Sequence, residues 1–317
     1  MLVLSAGVAL SGGDAGQLHD QERTTSMAAH GHPREHAHGH QQHGASPAAP
    51  PSTPPATPPP PAPGTSPSPS PSPVVTSVAP TPAPAAGFTF ADEFAGAAGS
   101  PPSAANWSAQ TGQGIWGTGE VEDMVDSTTN AYLNGTGQLV IALTSDGNGG
   151  YRSARLQSTF SQQYGTWEIC AKITPTVGAW PAIWFMGNDG QWPRNGEADL
   201  MENYGPNVNG GKSQATVHSS GAGGVPSKDA NYAADTAWHI YRMEQAEGHI
   251  EFFVDGVSVL TVDSDMFSTF SLWPFDDNGG MYCILNVAAG GTGTNEAVPA
   301  VGALPVLMEI DYVHCWQ

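Results

Sequence analysis

Short apolar runs separated by turn residues fill the chain from Phe88 to its end, and this pattern limits the possible folds more than any other feature. Ile250–Val254 and Val257–Val262 flank Asp255 and Gly256, a pair that is typical of two-residue β-hairpins. No segment has the 3.6-residue period of an amphipathic helix. We therefore predict an antiparallel β-sandwich or barrel. The other runs that resemble strands are Leu139–Leu143, Trp167–Ile173, Ala182–Met186, Trp238–Glu244, Met281–Val287 and Met308–Trp316.

Large apolar side chains are confined to the later part of the chain. All nine tryptophans come after residue 106, whereas residues 46–86 hold 17 of the 28 prolines. A segment without large apolar residues cannot offset the entropy lost on folding. We predict an incomplete signal-like start and a His-rich disordered tract over residues 1–45, a Pro/Ser/Thr-rich linker over 46–86, and one folded domain over 87–317. For a domain of this size, a two-sheet jelly roll is the expected architecture.

The charge balance excludes several classes of partner. The net charge is −20, and from Gly87 onward there are 25 acidic and 7 basic residues. Nucleic acids and polyanionic substrates need basic side chains, so neither is expected. No apolar run reaches the ~18 residues of a membrane helix. The first ten residues resemble the apolar part of a signal peptide without its basic region, and we expect a secreted, monomeric protein.

Two further groups of residues are open to more than one interpretation. The clustered histidines suit either metal capture or a solvated tract without fixed geometry. The cysteines contain no CxxC pair and allow at most one disulfide, and we interpret them as small buried side chains. The histidines are His30, His32, His36, His38, His40 and His43, and the cysteines are Cys170, Cys283 and Cys315.

The most informative stretch runs from Trp192 to Tyr204 and contains three acids. On a strand, Glu197 and Asp199 point to the same side, because side chains alternate between faces. Glu202 would point to the opposite side unless a β-bulge adds one residue. With a bulge near Leu200–Met201, all three carboxyls line one cleft.

Three acids on one face repel each other, so a purely structural role would be costly. A retaining glycosidase needs two carboxyls about 5–5.5 Å apart, with pKa values pushed apart by their surroundings. An acidic strand on a solvated face is the alternative. Trp180, Trp184 and Trp192 stand close by in the sequence and favour a carbohydrate cleft, because sugar rings stack on aromatic rings. Trp180 and Trp184 share a face and also suit a core.

The six residues from Glu197 to Glu202 resemble the signature of glycoside hydrolase family 16 in its laminarinase-like form. The resemblance extends over about residues 88–317. The segments that carry it, in order, are Asp92–Phe94, Arg152–Leu156, Tyr164–Glu168, Trp180–Trp184, Thr216–His218, Trp238–Tyr241, Val254–Gly256, Leu285–Gly291 and Asp311–Val313. The segment Gly291–Asn295 lacks a tryptophan that the family often has there, which puts one sugar subsite in doubt.

The resemblance implies a concanavalin-like jelly roll and a role for each matching residue. Glu197 is the expected nucleophile, Glu202 the acid/base, and Asp199 the residue that assists the nucleophile. Catalysis would need no cofactor. A structural calcium ion is expected between the first and last strands, held by Glu93, Asp311 and a carbonyl near Gly137. The expected sugar contacts are Trp180, Trp184, Trp192, Arg155, His218 and Asn286.

Function therefore has one leading interpretation and three alternatives. The leading one is an endo-hydrolase of a neutral β-glucan, with β-1,3 or mixed β-1,3-1,4 linkages. A galactan or agar-type hydrolase and a wall-glucan transglycosylase would use the same residues. A lectin-like carbohydrate-binding domain would need the tryptophans without the acid pair.

Overall fold

The computed structural model describes residues 87–219, 227–267 and 273–317. The tract over 1–45 and the linker over 46–86 lie outside these ranges, so the predictions about them remain predictions. No helix among the described residues is long and apolar enough to cross a membrane.

The described residues form strands and short 3-10 turns, as the pattern of short apolar runs and turn residues predicts. The strands are β1 Phe90–Asp92, β2 Trp107–Ala109, β3 Gly112–Gln113, β4 Asp123–Met124, β5 Ala131–Leu133, β6 Leu139–Ser145, β7 Tyr151–Ser153, β8 Arg155–Gln162, β9 Gly165–Ile173, β10 Ala179–Gly187, β11 Glu197–Asn203, β12 Ser213–His218, β13 Ser227–Tyr232, β14 His239–Ala246, β15 His249–Val254, β16 Val257–Asp263, β17 Met281–Ala289 and β18 Val306–Trp316. The 3-10 turns are Asn209–Gly211, Ser264–Met266, Thr292–Thr294 and Val301–Ala303.

The strands form two sheets. The larger has the order β16-β15-β14-β9-β18-β6-β7-β4-β3, with β1 paired to β18 and β5 to β6. The smaller has the order β13-β12-β11-β10-β17-β8-β2. All pairings are antiparallel except β4 with β7. The predicted two-sheet antiparallel sandwich is confirmed.

One apolar core is shared by the two sheets. Alternate side chains of β9 and β18 meet those of β10, β11 and β17 in it, as the two-residue period of a strand requires. Trp167 of the larger sheet, for example, lies 5.5 Å from Phe185 of the smaller one between ring centroids. The opposite face of the smaller sheet is thereby left free for polar and aromatic groups.

Local sequence signals correspond to local geometry. Asp255 and Gly256 join β15 to β16 with φ values of 52° and 76°, the left-handed pair that a type I′ hairpin needs. The cysteines Cys170, Cys283 and Cys315 are all buried and free, which agrees with their interpretation as small buried side chains.

Candidate active site

A cleft of about 330 Å³ opens on the smaller sheet, on the face away from the core. The strands β8, β10, β11 and β17 form its floor, and the β3–β4 and β10–β11 connections add residues at its rim. Eight of the predicted site residues line it: Arg155, Trp180, Trp184, Trp192, Glu197, Asp199, Glu202 and Asn286. The other lining residues are Trp116, Gly117, Thr118, Glu120, Ala182, Met186 and Ala288.

The acid residues share one face because β11 contains a bulge. Ile183 of β10 pairs with Met201, and the next residue, Trp184, pairs with Asp199, so Leu200 is the extra residue. The same irregularity occurs against β12. Leu200 and Met201 both point into the core. The bulge lies where the acid spacing predicts it, and Glu202 faces the cleft with Glu197 and Asp199.

Burial and mutual repulsion raise the pKa of each of these acids. Burial, and then the charge of Asp199, raise the pKa of Glu197 to about 8. Burial raises the pKa of Glu202 to about 7, and the neighbouring Glu197 adds to the shift. Asp199 is only 2% exposed, and burial together with Glu202 raises its pKa as well. Near neutral pH the cluster therefore retains at least one proton, which an acid–base mechanism requires.

Two neighbouring side chains hold the carboxyl of Glu202 in place. The indole N–H of Trp180 donates a hydrogen bond to Oε1 at 3.0 Å, and the hydroxyl of Tyr204 donates to Oε2 at 2.8 Å. The ring centroids of Trp180 and Tyr204 lie 5.2 Å apart. A Cβ at Gly293 would come within 2.6 Å of the Tyr204 ring, so the loop that lacks the family's tryptophan packs directly against these residues.

A cation sandwiched between two indoles forms another part of the cleft. The guanidinium of Arg155 lies 4.3 Å from the ring centroid of Trp116 and 4.5 Å from that of Trp184. Burial lowers the pKa of Arg155 to about 10, so it stays charged at neutral pH. The indole N–H of Trp184 donates to Oδ1 of Asn286 at 2.8 Å. This part of the cleft is aromatic and holds the charged guanidinium of Arg155.

The two remaining predicted sugar contacts, Trp192 and His218, differ in their position relative to the cleft. Trp192 is 52% exposed and stands at the rim, where its ring is available for stacking. His218 pairs with Glu197 across β11 and β12, and its Nε2 lies 3.2 Å from Oδ2 of Asp199. It lies beside the acids on the neighbouring strand and is not among the residues that line the cleft, where a sugar contact was expected.

The predicted calcium ligands come from three segments that do meet. A Cβ at Gly137 would lie 3.7 Å from the carbonyl oxygen of Glu93, and Gln138 donates to Oδ1 of Asp311 at 3.2 Å. The carboxylate of Glu93 instead contacts Nε2 of His314 at 2.6 Å. These residues offer one carboxylate and backbone carbonyls, all hard oxygen donors that suit calcium. Glu93 fits as a ligand through its backbone carbonyl rather than its side chain.

Sequence reasoning missed several residues at the cleft. Tyr204 had a readable signal, since it stands two positions after Glu202 and shares its face. Glu120 lines the cleft, and Glu122, buried beside it, accepts a hydrogen bond from the backbone N–H of Ala289 at 2.7 Å. Burial raises the pKa of Glu122 to about 7. Their loop reaches the site only because it pairs with Gly290, the residue that follows β17.

Paired acids on an aromatic cleft of a β-sandwich place this protein in the class of glycoside hydrolases. Residues 118–312 match the model of the family described as "Glycosyl hydrolases family 16", and the chain belongs to that family.

Individual relatives agree with this assignment. The glucan endo-1,3-beta-glucosidase A1 of Niallia circulans is 27% identical over 64% of this chain, and the match spans 33% of that protein's length. The crystal structure of an endo-1,3-beta-glucanase from Streptomyces sioyaensis is 33% identical over 75% of this chain and 98% of its own, with a TM-score of 0.64. Rv0315, an immunostimulatory antigen and pseudo beta-1,3-glucanase of Mycobacterium tuberculosis, is 29% identical over 73% and 98%, with a TM-score of 0.62.

Proposed function

We propose that this protein is a retaining endo-glycosidase that hydrolyses internal linkages of a neutral β-glucan. Its preferred substrate is β-1,3-glucan, followed by mixed-linkage glucan. One observation carries the proposal: Glu197, Asp199 and Glu202 share the cleft face of a bulged strand, and two hydrogen bonds orient the carboxyl of Glu202. A pseudo-glucanase among the relatives means that the fold alone does not establish catalysis. The intact acid set is what favours the enzyme over a lectin.

In the first step, Glu197 attacks the anomeric carbon and the bond to the leaving oxygen breaks. Glu202 donates its proton to that oxygen, and a glycosyl-enzyme ester forms on Glu197. Attack requires Glu197 in its carboxylate form, and Asp199, the most deeply buried of the three acids, assists the nucleophile from the same face of the strand.

In the second step, Glu202 is a carboxylate and removes a proton from water. The resulting hydroxide equivalent attacks the anomeric carbon from the side that the leaving group vacated, and the ester to Glu197 breaks. Two inversions at one carbon give net retention. Trp180 and Tyr204 stabilise the carboxylate of Glu202 between the two steps.

Charge and stacking favour an uncharged polymer. The folded domain has 25 acidic and 7 basic residues. The basic residues near the acids are Arg194, three positions before Glu197 in the sequence, and Arg155, which lines the cleft. A sulfated galactan would need several guanidinium contacts for its sulfates. Stacking on Trp192 needs no charge. Neutral galactan and transglycosylation remain alternatives that use the same residues.

The test is a panel of laminarin, lichenan, agarose and κ-carrageenan at low and moderate salt, read by reducing-end release. We expect cleavage of laminarin first and lichenan second, with the β-anomer appearing first in early NMR spectra. Activity on agarose alone would agree with the proposed mechanism but would reject a glucan as the substrate. Preferential cleavage of carrageenan at low salt, where repulsion is least screened, would reject the charge argument. An initially inverted anomer would reject retention.

We also propose that the protein acts outside the cell as a monomer and binds one structural calcium ion at Glu93, Gly137 and Asp311. A polymeric substrate and a strongly acidic surface are consistent with extracellular action. Calcium bound only to the folded state would raise the melting temperature. The melting temperature is measured in EGTA and again after addition of calcium chloride. Equal melting temperatures would reject the proposed calcium site.

A further inference from the structure

A histidine and two carboxylates converge beside the catalytic strand. Glu197 and His218 are direct partners in the pairing of β11 with β12, and Asp199 stands two residues further along the same face. One ligand atom from each of these three residues lies within 4.8 Å of the other two. Among the residues that the structure describes, this is the one group of three or more histidine, cysteine or acid side chains with that geometry.

Asp199 supplies an independent observation that points to a ligand. Its side chain is buried, and Oδ2 has no hydrogen-bond partner. That oxygen lies 3.2 Å from Nε2 of His218, close enough for an ion contact but without hydrogen-bond geometry. The hydroxyl of Thr216, which pairs with Asp199 across the strands, also lacks a partner. A buried acceptor without a donor is costly, and a cation would satisfy it.

We propose that Glu197, Asp199 and His218 form a binding site for one divalent ion of the zinc or copper type. Zinc bonds of ~2.0–2.2 Å to nitrogen and oxygen place tetrahedral ligands about 3.3 Å apart, so small side-chain shifts close this group onto an ion. An imidazole with two carboxylates suits zinc and copper better than magnesium or calcium, which prefer oxygen alone. The acidic domain attracts cations in general, and the imidazole supplies the selectivity.

The site overlaps the cleft, so the ion and the polysaccharide exclude each other. Glu197 and Asp199 line the cleft and each contributes one ligand, so an ion bound there occupies carboxyls that the sugar would meet. Zinc therefore acts as a reversible inhibitor that competes with substrate. This consequence rests on the proposed function, whereas the binding itself does not.

Binding is tested on the full-length protein by equilibrium dialysis against zinc chloride in a non-coordinating buffer at neutral pH. We expect His218→Gln to bind one zinc ion fewer than the wild type, and Asp199→Asn to do the same. The matched control is His249→Gln on β15: its acid neighbours, Asp263 and Glu251, face opposite ring nitrogens and form no single site. The His-rich tract contributes equally to every variant.

Circular dichroism checks that each variant is folded. If His218→Gln is not folded, the zinc stoichiometry of Asp199→Asn decides the test. Equal zinc stoichiometry in the wild type and in both site variants would overturn the proposal, as would an equal loss in the control.

Inhibition provides the second measurement. Zinc chloride is expected to inhibit laminarin cleavage competitively, with reversal by a chelator that prefers zinc to calcium and no effect of magnesium chloride. His218→Gln should raise the inhibition constant at least tenfold relative to the wild type and to His249→Gln. Inhibition that is independent of substrate concentration would reject the overlap between the zinc site and the substrate cleft. If laminarin is not cleaved but the zinc stoichiometries differ as expected, the proposed substrate fails and the metal site stands.

Discussion

Two parts of the cleft are built in different ways. In the acid part, Glu197, Asp199 and Glu202 come from one strand, and their arrangement follows from alternation and a single bulge. In the aromatic part, Arg155 lies between Trp116 and Trp184, and these three residues come from three separate segments. The acid part is encoded locally, whereas the aromatic part depends on how distant strands and a loop pack. We expect changes in the acid part to affect turnover and changes in the aromatic part to affect binding.

The largest expected effect comes from Glu197→Gln and Glu202→Gln. Each should reduce turnover on laminarin by about 10²–10⁴-fold or more, because each removes a group that bonds or transfers a proton at the reacting carbon. Folding should be unaffected, since neither change leaves a buried charge unpaired. The exposed Glu247→Gln in the β14–β15 turn is the control and should keep full activity. Near-normal turnover in either acid variant would refute the assignment.

Arg155→Lys is expected to have a smaller effect, mainly on KM. Lysine keeps the charge but loses the planar group that stacks between the two indoles. A stacked, partly desolvated cation contributes roughly 1–2 kcal/mol, which corresponds to about a tenfold fall in kcat/KM. Steady-state kinetics on laminarin check this. A fall confined to kcat would mean that the acid and aromatic parts of the cleft are not functionally separate.

Tyr204→Phe should shift the pH profile while retaining most of the maximal rate. The tyrosine hydroxyl stabilises the ionised form of Glu202, so its loss raises the pKa of that acid. A hydrogen bond to a charged group contributes ~1.5–3 kcal/mol, so we expect a shift of about one pH unit. The alkaline limb of kcat/KM, where Glu202 loses its proton, moves to higher pH.

Tyr132→Phe, on β5 of the other sheet, is the matched control and should leave the pH profile unchanged. An unmoved alkaline limb in Tyr204→Phe, or an equal shift in the control, would show that the hydroxyl does not tune Glu202.

Deleting residues 1–86 should change neither the acid part nor the aromatic part of the cleft. This region is poor in large apolar residues and rich in proline, so it contributes little to a core. Thermal melting and kinetics on soluble oligomers should match those of the full chain. A clearly lower melting temperature would mean that the region packs against the domain.

The sequence predicted the features that depend on neighbours in the chain. The two-sheet fold, the hairpin at Asp255 and Gly256, and the bulge at Leu200 all follow from alternation and turn chemistry. The stack of Arg155 with Trp116 and the bond from Trp180 to Glu202 were not foreseen. They depend on the register between strands and on side-chain packing, which no local pattern encodes.

The buried cysteines have a practical consequence. Burial raises the pKa of Cys170 and of Cys315 to about 12, and that of Cys283 also rises. Each thiol is both protonated and shielded, so maleimides and similar reagents find no native target. A cysteine introduced at an exposed position such as Val257 would be the one reactive thiol on the molecule. A dye or a solid support can then be attached at a chosen point without first removing the native residues.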